Sequence, residues 1–372
     1  MKLKSIFALI CALFLPIGVR SQALAFPSLP SGSETVDPNN EGTAIYAVHD
    51  FGKPLVEFRA AHESRWTFES RNGLLEIQAA TYKNPRSKGD IIFVTGVMDS
   101  FARNLETIYD LYNLGYSVHT YDHRGQGLSP RLAPNPQVIH VSNFDHYSDD
   151  FSDFVAAVRP DLQSERKKTG DLFMVTVSMG ALIGAKYIAA HPGQFDAAVY
   201  GAPMFKIYLQ NFLGRIVARP LLDQMCRFGR CTSYVPGGSD YDPEKYSLKH
   251  NPFTSDKTRF DFLIDFIENV DAMHVGWPSA GWLRNSLQAS EDFILKYKDH
   301  TAPSLVLTAE NDGLTLASGA TQFCSEALSC MIIPLQNARH DVWNESDFTR
   351  KTLLHETALH LAAHSSTPSF GN

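Results

Sequence analysis

The sequence lacks an apolar segment long enough to cross a membrane near its N-terminus, although it begins like an exported chain. The apolar run Ser5–Val19 has 15 residues, short of the roughly 20 that a membrane-spanning helix needs. Lys2 and Lys4 precede this run, and Ala23-Leu24-Ala25 follows it as an A-x-A cleavage signal. These features predict a signal peptide cleaved after Ala25 and an exported protein, either periplasmic or secreted. An uncleaved membrane anchor is the alternative.

Cysteine is scarce, with five residues in 372. Cys11 lies inside the predicted signal peptide, and Cys226, Cys231, Cys324 and Cys330 remain. An even number in an exported chain suggests two disulfides, for which three connectivities exist. We expect the two local pairs, Cys226 with Cys231 and Cys324 with Cys330. Metal binding is the less favoured alternative, because neither pair has the C-x-x-C spacing of a zinc site and no histidine stands at ligand spacing beside them.

Positive charge is in deficit. Without the first 25 residues the chain keeps 30 basic and 40 acidic residues. A net charge of −10 gives no electrostatic reason to expect a nucleic acid as partner. What the sequence does have is apolar content, 44% of its residues, which is enough for a large core that folds without metal or oligomerisation.

Strand and helix patterns alternate along most of the chain. Residues 26–60 are rich in Pro, Ser, Gly and Asn, and they predict an extended lead-in. A hairpin is expected around Arg71-Asn72-Gly73. Further strands are predicted at 90–95, 116–121, 171–177, 195–200, 304–308 and 331–334, and helices at 104–114, 149–158, 179–190, 317–328 and 347–363. The alternation predicts an α/β fold with a mostly parallel, doubly wound sheet.

The alternation stops once, between residues 203 and 299, for longer than an ordinary loop. We therefore expect a core at 61–203 and 299–366, interrupted by a helical insertion at 204–298, called the cap segment below. Its first helix is expected to begin near Phe205, because apolar residues follow at three- and four-residue steps. These residues are Phe205, Leu209, Phe212, Leu213, Ile216 and Val217.

Ser178 stands in "TVSMGALIG", where a predicted strand meets a predicted helix. This is the context of a nucleophile elbow, the tight turn that presents a catalytic serine. The turn needs small residues two before and two after the serine. Gly180 meets this requirement and Thr176 does not, so the serine by itself is a weak signal.

An acid and a histidine follow Ser178 in the order that a serine hydrolase of this fold requires. Asp312 comes after the strand "SLVLTAEN", and His340 comes after "MIIPLQNAR". Both are expected at carboxyl ends of strands, where sheets of this kind place their active sites. Glu310 and Asp341 are alternative acids.

Acyl transfer also needs two backbone N–H groups that bind the oxyanion. Met179 directly follows the nucleophile and supplies the first candidate. Val97, in the loop after the strand "DIIFVT", supplies the second. The alternative is that Gly96 merely ends a strand.

Six segments in one order carry a resemblance to a known family: "VTGVMDSF", "YDHRGQGLSPR", "TVSMGALIG", "GAPMF", "AENDGLT" and "NARHDVWNE". From Trp66 to Ala363 the chain resembles the α/β-hydrolase family of lysophospholipases and monoacylglycerol lipases, which also includes serine aminopeptidase-like hydrolases, and in particular the bacterial lysophospholipases. The resemblance implies an α/β-hydrolase fold with Ser178 as nucleophile, Asp312 as orienting acid and His340 as base. It also implies Val97 and Met179 as oxyanion donors, a structural turn at "DHRGQGLS", and no metal or organic cofactor.

The chain departs from the family at three places. The family usually has Gly or Ala at the position of Thr176, His at that of Val177, and His-Gly in place of Thr95-Gly96. These departures bear on rate and substrate more than on the type of reaction.

The substrate has to be inferred from the cap segment. Its apolar residues could cover an acyl chain, with Phe205, Leu209, Trp277 and Trp282 as candidate contacts. The alternative is that they only pack the cap segment onto the core. Lys206, Arg215 and Arg219 could attract a phosphate headgroup, and a solvated helix face explains them equally well.

Three functions follow as hypotheses. The first is a serine hydrolase that cleaves an ester of a single-chain lipid, a small lipid ester being its partner, with transient contact to a membrane surface. The second is an aminopeptidase of the same fold, for which Asp240, Asp242 and Glu244 could hold an amino group. The third is a non-catalytic binding protein.

Overall fold

The structure is a computed structural model, and it describes residues 43–72, 75–163, 170–209 and 212–366. The predicted signal peptide, residues 26–42 of the predicted lead-in and the tip of the predicted hairpin at residues 73–74 lie outside the described residues, as does the side chain of Arg215. Within the described ranges, no helix combines the length and the apolar character that crossing a bilayer would require.

One sheet of eight strands organises the chain, in the spatial order β1-β2-β4-β3-β5-β6-β7-β8. The first two strands form an antiparallel hairpin, β2 also pairs antiparallel with β4, and all other neighbours are parallel. The strands are β1 Glu63–Glu69, β2 Glu76–Tyr82, β3 Asp90–Val94, β4 Ser117–Tyr121, β5 Leu172–Val177, β6 Ala197–Gly201, β7 Ser304–Ala309 and β8 Cys330–Leu335. Every residue of β5 and β6 is buried, as expected for parallel strands covered on both faces.

Among the helices of the described residues, two precede the first strand, three lie in the cap segment, and the others follow strands. The helices are α1 Thr43–Val48, α2 Lys53–His62, α3 Leu105–Asn113, α4 Asp145–Val158, α5 Met179–Ala190, α6 Phe212–Arg227, α7 Lys257–Asn269, α8 Ala280–Ile294, α9 Ala317–Glu326 and α10 Asp347–Ala363. Two apolar clusters lie on opposite faces of the sheet: Ile92 and Met174 belong to one, Phe93 and Val175 to the other. This doubly wound, mostly parallel sheet confirms the predicted fold class.

Residues 43–60 are helical, so the extended lead-in predicted there is wrong. In α2, Pro54 occupies the first turn, where its missing N–H costs nothing. Leu55, Phe58 and Arg59 are buried on one face, with Phe58 stacked on Tyr82 of β2. The sequence did not predict this helix, because the Pro- and Gly-rich composition outweighed the short helical spacing of three and four residues between its buried side chains.

The cap segment contributes α6, α7 and α8, and no strand belongs to its described residues. The predicted start of its first helix near Phe205 is wrong, because α6 begins at Phe212. Phe205 is instead fully buried in the core, packed between Tyr200 and Phe323. Its apolar side chain thus belongs to the sheet packing rather than to a helix face.

The four cysteines are joined as the sequence predicted, Cys226 to Cys231 and Cys324 to Cys330. The first pair closes the loop after α6, and the second connects α9 to β8. A sulfur that is joined in a disulfide is no longer a thiolate, so these cysteines are not available as metal ligands. No three His, Cys, Asp or Glu side chains of the described ranges gather in a way that could hold a metal ion.

Candidate active site

Ser178 lies in a sharp turn between the carboxyl end of β5 and the start of α5. Its backbone has φ 53° and ψ −116°, a conformation that a residue with a side chain adopts at a cost in energy. Neighbouring backbone holds the turn: the Ser178 N–H donates to the Gly201 carbonyl at 2.9 Å, and the Ser178 carbonyl accepts from Met204 N–H at 3.0 Å. This geometry projects the serine side chain off the end of the sheet.

The positions two before and two after Ser178 are accommodated in different ways. Gly180 is obligatory, because a Cβ there would overlap the carbonyl oxygens of Val94 and Thr95. Thr176 is fully buried, and its hydroxyl donates to the Val199 carbonyl at 3.2 Å. The Thr176 methyl group faces Gly184 of α5, where an added Cβ would lie at an ordinary contact distance of 3.5 Å from the methyl but would overlap the Met174 sulfur at 2.2 Å.

Ser178, His340 and Asp312 form one hydrogen-bonded series. His340 Nε2 lies 2.8 Å from Ser178 Oγ, and His340 Nδ1 lies 2.9 Å from each carboxylate oxygen of Asp312. A carboxylate can only accept, so Nδ1 carries the ring proton and Nε2 is free to accept the serine proton. The series has the geometry of a nucleophile, a base and an orienting acid.

Asp312 is fixed by its own loop. Its carboxylate accepts from the N–H groups of Leu314 and Thr315 at 2.8 and 2.9 Å, and from the Thr315 hydroxyl at 2.7 Å. Burial by itself would raise the pKa of Asp312, but the charge of His340 and the hydrogen bonds from His340 and Thr315 outweigh it and lower the pKa. Asp312 is therefore a carboxylate at neutral pH.

The two alternative acids are engaged elsewhere. Glu310 is exposed and accepts a hydrogen bond from the Asn337 N–H at 2.8 Å. Asp341 forms an ion pair with Arg103 at 2.9 Å. Asp312 is thus the acid that the structure brings to His340.

The loop that follows β3 comes against the nucleophile. A Cβ added to Gly96 would lie 3.2 Å from Ser178 Cβ, a tighter contact than most side chains make, so glycine favours this close approach. Val97 follows Gly96 on this loop, and Met179 begins α5 directly after Ser178. No hydrogen bond within the described part of the chain uses either N–H, so both donors remain for an oxyanion.

The loop that follows β3 is bound by buried polar residues that the sequence did not identify. Asp122, in the "DHRGQGLS" turn after β4, accepts from the Ser100 hydroxyl, the Phe101 N–H and the Leu128 N–H at 2.7 to 2.8 Å. Burial raises its pKa to about 7. Gln126 of the same turn also binds the loop. The sequence marked this turn as structural but gave no sign of which segment it supports.

A second buried group joins the loop after β3 to the loop that carries His340. Arg103 donates to Asp99 at 2.8 Å and contacts Asp341 at 2.9 Å. Asn344 also donates to Asp341, at 3.1 Å. All four side chains are at least nine-tenths buried, so the ion pairs are little weakened by solvent.

The cap segment contacts the His340 loop through its backbone. The N–H groups of His340 and Asp341 donate to the carbonyls of Pro252 and Phe253, at 3.1 and 2.9 Å. Arg339 adds hydrogen bonds from its guanidinium to three carbonyls of the same stretch of the cap segment. The cap segment therefore takes part in placing the histidine.

The four predicted acyl-chain contacts differ in how deeply they are buried. Phe205 is buried in the core, and Leu209 is half-buried nearby in the chain. Trp282, at the first turn of α8, is also buried, whereas Trp277 is 49% exposed. Phe205 and Trp282 belong to the same buried apolar cluster. Of the cationic candidates, Arg219 forms an ion pair with Glu291.

Known proteins resemble the chain over most of its length. Lysophospholipase L2 of Escherichia coli (strain K12) is 28% identical over 275 residues, which cover 71% of this chain and 78% of that relative. A probable lysophospholipase L2 of Haemophilus influenzae is 27% identical over 264 residues, covering 71% and 80% of the two chains.

Solved structures show the same fold. A soluble variant of monoglyceride lipase from Saccharomyces cerevisiae has a TM-score of 0.64 at 18% identity, covering 82% of this chain and 96% of that one. A thermostable carboxyl esterase from Bacillus coagulans has a TM-score of 0.63 at 16% identity, covering 82% and 99%.

The Hydrolase_4 family, described as serine aminopeptidase, S33, matches residues 85–347. This range is more than half of the chain, and it includes Ser178, Asp312 and His340 together with the turn that supports the loop after β3. With the eight-stranded sheet and its elbow, these observations show that the chain is an α/β-hydrolase that belongs to the serine aminopeptidase S33 family.

Proposed function

We propose that the protein is a serine hydrolase that cleaves the carboxylic ester of a single-chain lipid, a lysophospholipid or a monoacylglycerol, through an acyl-enzyme on Ser178. The observation that carries the proposal is the hydrogen-bonded series from Asp312 through His340 to Ser178 Oγ. A serine hydroxyl is a weak nucleophile unless a base removes its proton. Here the base lies 2.8 Å away.

The reaction divides between these groups. His340 Nε2 accepts the Ser178 proton as Oγ attacks the ester carbonyl, and the N–H groups of Val97 and Met179 stabilise the oxyanion. The protonated His340 then donates to the leaving alcohol as the ester bond breaks. Water next attacks the acyl-enzyme by the same route and releases the fatty acid and Ser178. Asp312 stays ionised and keeps the imidazole in the required tautomer.

The names of two relatives, both lysophospholipases L2, support a lipid ester as substrate. The cap segment adds exposed apolar side chains: Val217, Leu221 and Phe228 are 46%, 41% and 70% exposed. Apolar side chains at such a surface favour contact with a lipid aggregate, so we include transient contact with a membrane surface. Co-sedimentation with phosphatidylcholine vesicles that Phe228→Ser leaves unchanged would contradict this contact.

The decisive experiment is fatty-acid release from lysophosphatidylcholine and from monoacylglycerol by the wild-type protein and by Ser178→Ala. Loss of the nucleophile should lower kcat by at least about 10³-fold, as removal of a catalytic serine does elsewhere. Ser325→Ala, on the exposed face of α9, is the matched control and should leave the rate unchanged. Activity that survives in Ser178→Ala would refute the proposal.

The aminopeptidase alternative has less support. Asp240 already accepts hydrogen bonds from Tyr234 and Asn135, and Asp242 pairs with Lys245 at 3.2 Å. These two acids are thus already engaged by neighbouring side chains. Faster hydrolysis of aminoacyl arylamides than of acyl esters would favour this alternative. Failure of a fluorophosphonate probe to label Ser178 in folded protein would favour a non-catalytic role.

We also propose export, with cleavage after Ala25. The apolar run Ser5–Val19 and the A-x-A signal support it, and two disulfides fit an oxidising compartment. The mass of the protein recovered from the periplasm or medium should correspond to a chain that begins at Phe26. A mass that retains the first 25 residues would contradict the proposal.

A further inference from the structure

Gln126 is buried beneath the loop that follows β3, and both the nitrogen and the oxygen of its side-chain amide form hydrogen bonds with that loop. Its amide nitrogen donates to the carbonyls of Gly96 and Asp99, at 2.7 and 3.0 Å, and its amide oxygen accepts from the Met98 N–H at 3.2 Å. The orientation of the amide is fixed by its partners, because carbonyls can only accept and an N–H can only donate. One side chain therefore binds both ends and the middle of the segment 96–99.

The bond to Gly96 has a direct consequence for Val97. The Gly96 carbonyl and the Val97 N–H belong to one planar trans peptide group, and they point in opposite directions. When Gln126 draws the carbonyl inward, the Val97 N–H must face outward from the support. Gly96 is also the residue at which the loop comes against Ser178.

The conformation that Gln126 holds is one that the loop would not keep unaided. Met98 has φ 62°, in the left-handed region that non-glycine residues avoid. Strained backbone of this kind persists only where surrounding contacts impose it. The Gln126 bond to the Met98 N–H is such a contact, and Gln126 has no exposed surface through which solvent could replace it.

We propose that Gln126 is a positioning residue for the oxyanion hole: it orients the Val97 N–H towards the oxyanion that forms on the carbonyl attacked by Ser178. The proposal rests on the proposed serine hydrolase function. Gln126 touches neither the substrate nor the serine, and it acts through the peptide between Gly96 and Val97. Asp122, which binds the next part of the loop at Ser100 and Phe101, supports the loop without reaching this peptide.

A role in oxyanion binding differs from a role in stability alone. An oxyanion donor acts in the transition state, so its misplacement lowers kcat and leaves KM largely unchanged. A residue that only stabilises the fold lowers the melting temperature and leaves the kcat of the folded protein unchanged. The two roles are separated by kinetics on folded variants with a soluble ester such as p-nitrophenyl butyrate.

The test uses Gln126→Glu and Gln126→Met in the full protein. Gln126→Met removes all three hydrogen bonds at similar length, and Gln126→Glu keeps an acceptor for Met98 N–H but replaces the donor. Removal of one oxyanion donor costs about 10²- to 10³-fold in kcat, so its misplacement should cost about 10- to 100-fold, with KM within about twofold. Gln322→Met is the matched control, because Gln322 lies on α9, outside the cap segment, and its amide bonds to Glu326 of the same helix. It should leave kcat unchanged.

A transition-state analogue gives a second readout. Ser178 Oγ adds to an alkyl trifluoromethyl ketone, its proton passes to His340, and the ketone oxygen becomes an oxyanion in the same hole. The inhibition constant of this ketone should rise by the same factor by which kcat falls. The ratio of Gln126→Glu to wild-type kcat should also increase as the pH falls, because only the protonated carboxyl can donate to the Gly96 carbonyl.

Each outcome supports or overturns the role of Gln126. Folded Gln126→Glu with wild-type kcat and ketone affinity overturns the proposal, and so does a loss confined to melting temperature. Should Gln126→Met fail to fold, Gln126→Glu still distinguishes the two roles through the pH dependence of its kcat relative to wild type. Wild-type protein without esterase activity refutes the proposed function instead, and that measurement is made first.

Discussion

Asp312 is the residue whose role can be isolated most cleanly. Asp312→Asn retains the shape of the side chain but permits the wrong imidazole tautomer, an effect that costs about 10⁴-fold in kcat in a serine protease. We expect a loss of about 10³- to 10⁴-fold in ester hydrolysis. Because the pKa of Asp312 is lowered from an ordinary value near 4, its carboxylate is ionised throughout pH 6 to 9. Between pH 8 and 9, above the ordinary histidine pKa of about 6.5, the factor by which the variant is slower should therefore stay constant.

Glu310→Gln is the matched control for Asp312→Asn, since Glu310 directly follows the same strand and its carboxylate accepts from the Asn337 N–H. Its kcat should stay within about twofold of wild type. Equal losses in the two variants would contradict the assignment of Asp312. So would a loss in Asp312→Asn that disappears at one end of the pH range.

Thr176 shows why one residue of the elbow was hard to interpret from sequence. The rule that this position must be small is a statement about volume, and a threonine violates it. In the structure the Thr176 side chain is fully buried, its hydroxyl donates to the Val199 carbonyl, and its methyl group faces Gly184 of α5. The compensation depends on contacts between β5, β6 and α5, which the neighbouring sequence positions do not reveal.

At the scale of elements, Arg339 connects the cap segment to the histidine loop. Its guanidinium donates to the carbonyls of Leu248, Asn251 and Thr254 at 2.6 to 3.0 Å. Loss of a charged donor leaves buried carbonyls unsatisfied, at about 1–3 kcal/mol. Arg339→Met should thus loosen the cap segment where it holds the His340 N–H. We expect kcat about 10-fold lower and faster proteolysis between residues 245 and 256.

Arg219→Met is the control for Arg339→Met, because Arg219 is a cap-segment arginine in a partly exposed ion pair with Glu291. Pairs of this kind contribute about 0–1 kcal/mol, so proteolysis and kcat should match wild type. A folded Arg339→Met protein with wild-type kcat and a wild-type proteolysis rate would show that the cap segment does not position His340.

The elements that the sequence predicted well are those whose pattern is local. Strands β3 and β5 are continuous apolar runs, and α5 and α10 have the predicted bounds. The misplaced start of the first helix in the cap segment has its cause in long-range packing. Phe205 joined a helical pattern by spacing but is held in the core by Tyr200 and Phe323.

In the candidate site, too, the sequence predicted the residues that follow strands in a known order, but not the residues paired by the fold. Chain order placed Ser178, Asp312 and His340 at strand ends, and their distances agree with that order, while their catalytic roles stay predictions. The supporting residues could not be found this way. Gln126 lies 30 positions from the carbonyl it binds, and Arg103 lies far from Asp341 in the sequence, so only the folded chain reveals these pairs.

On the scale of the whole molecule, the site is assembled from distant parts of the chain. The loop after β3 is supported by the turn after β4, and Arg103 ties it to the histidine loop through Asp341. The histidine loop is bound in turn by the backbone of the cap segment at Pro252 and Phe253. A substitution that loosens the cap segment should consequently lower the rate of ester hydrolysis. A substitution that loosens the far edge of the core to the same extent should not.

The two disulfides test this difference, because they close loops of nearly equal length in different parts of the molecule. Their cysteines are five and six positions apart, so loop entropy predicts a similar loss of about 2 kcal/mol in the free energy of unfolding for each Cys-to-Ser double variant. The Cys231 carbonyl accepts from the Gly281 N–H at 2.8 Å, at the start of α8. Removing Cys226–Cys231 should therefore loosen α8 in the cap segment and slow lipid ester hydrolysis. Removing Cys324–Cys330, which lies between α9 and edge strand β8, should lower the free energy of unfolding and leave hydrolysis unchanged. Urea unfolding and fatty-acid release on both variants measure the two effects. If activity falls equally in both, catalysis depends on overall stability and not on how the cap segment meets the histidine loop.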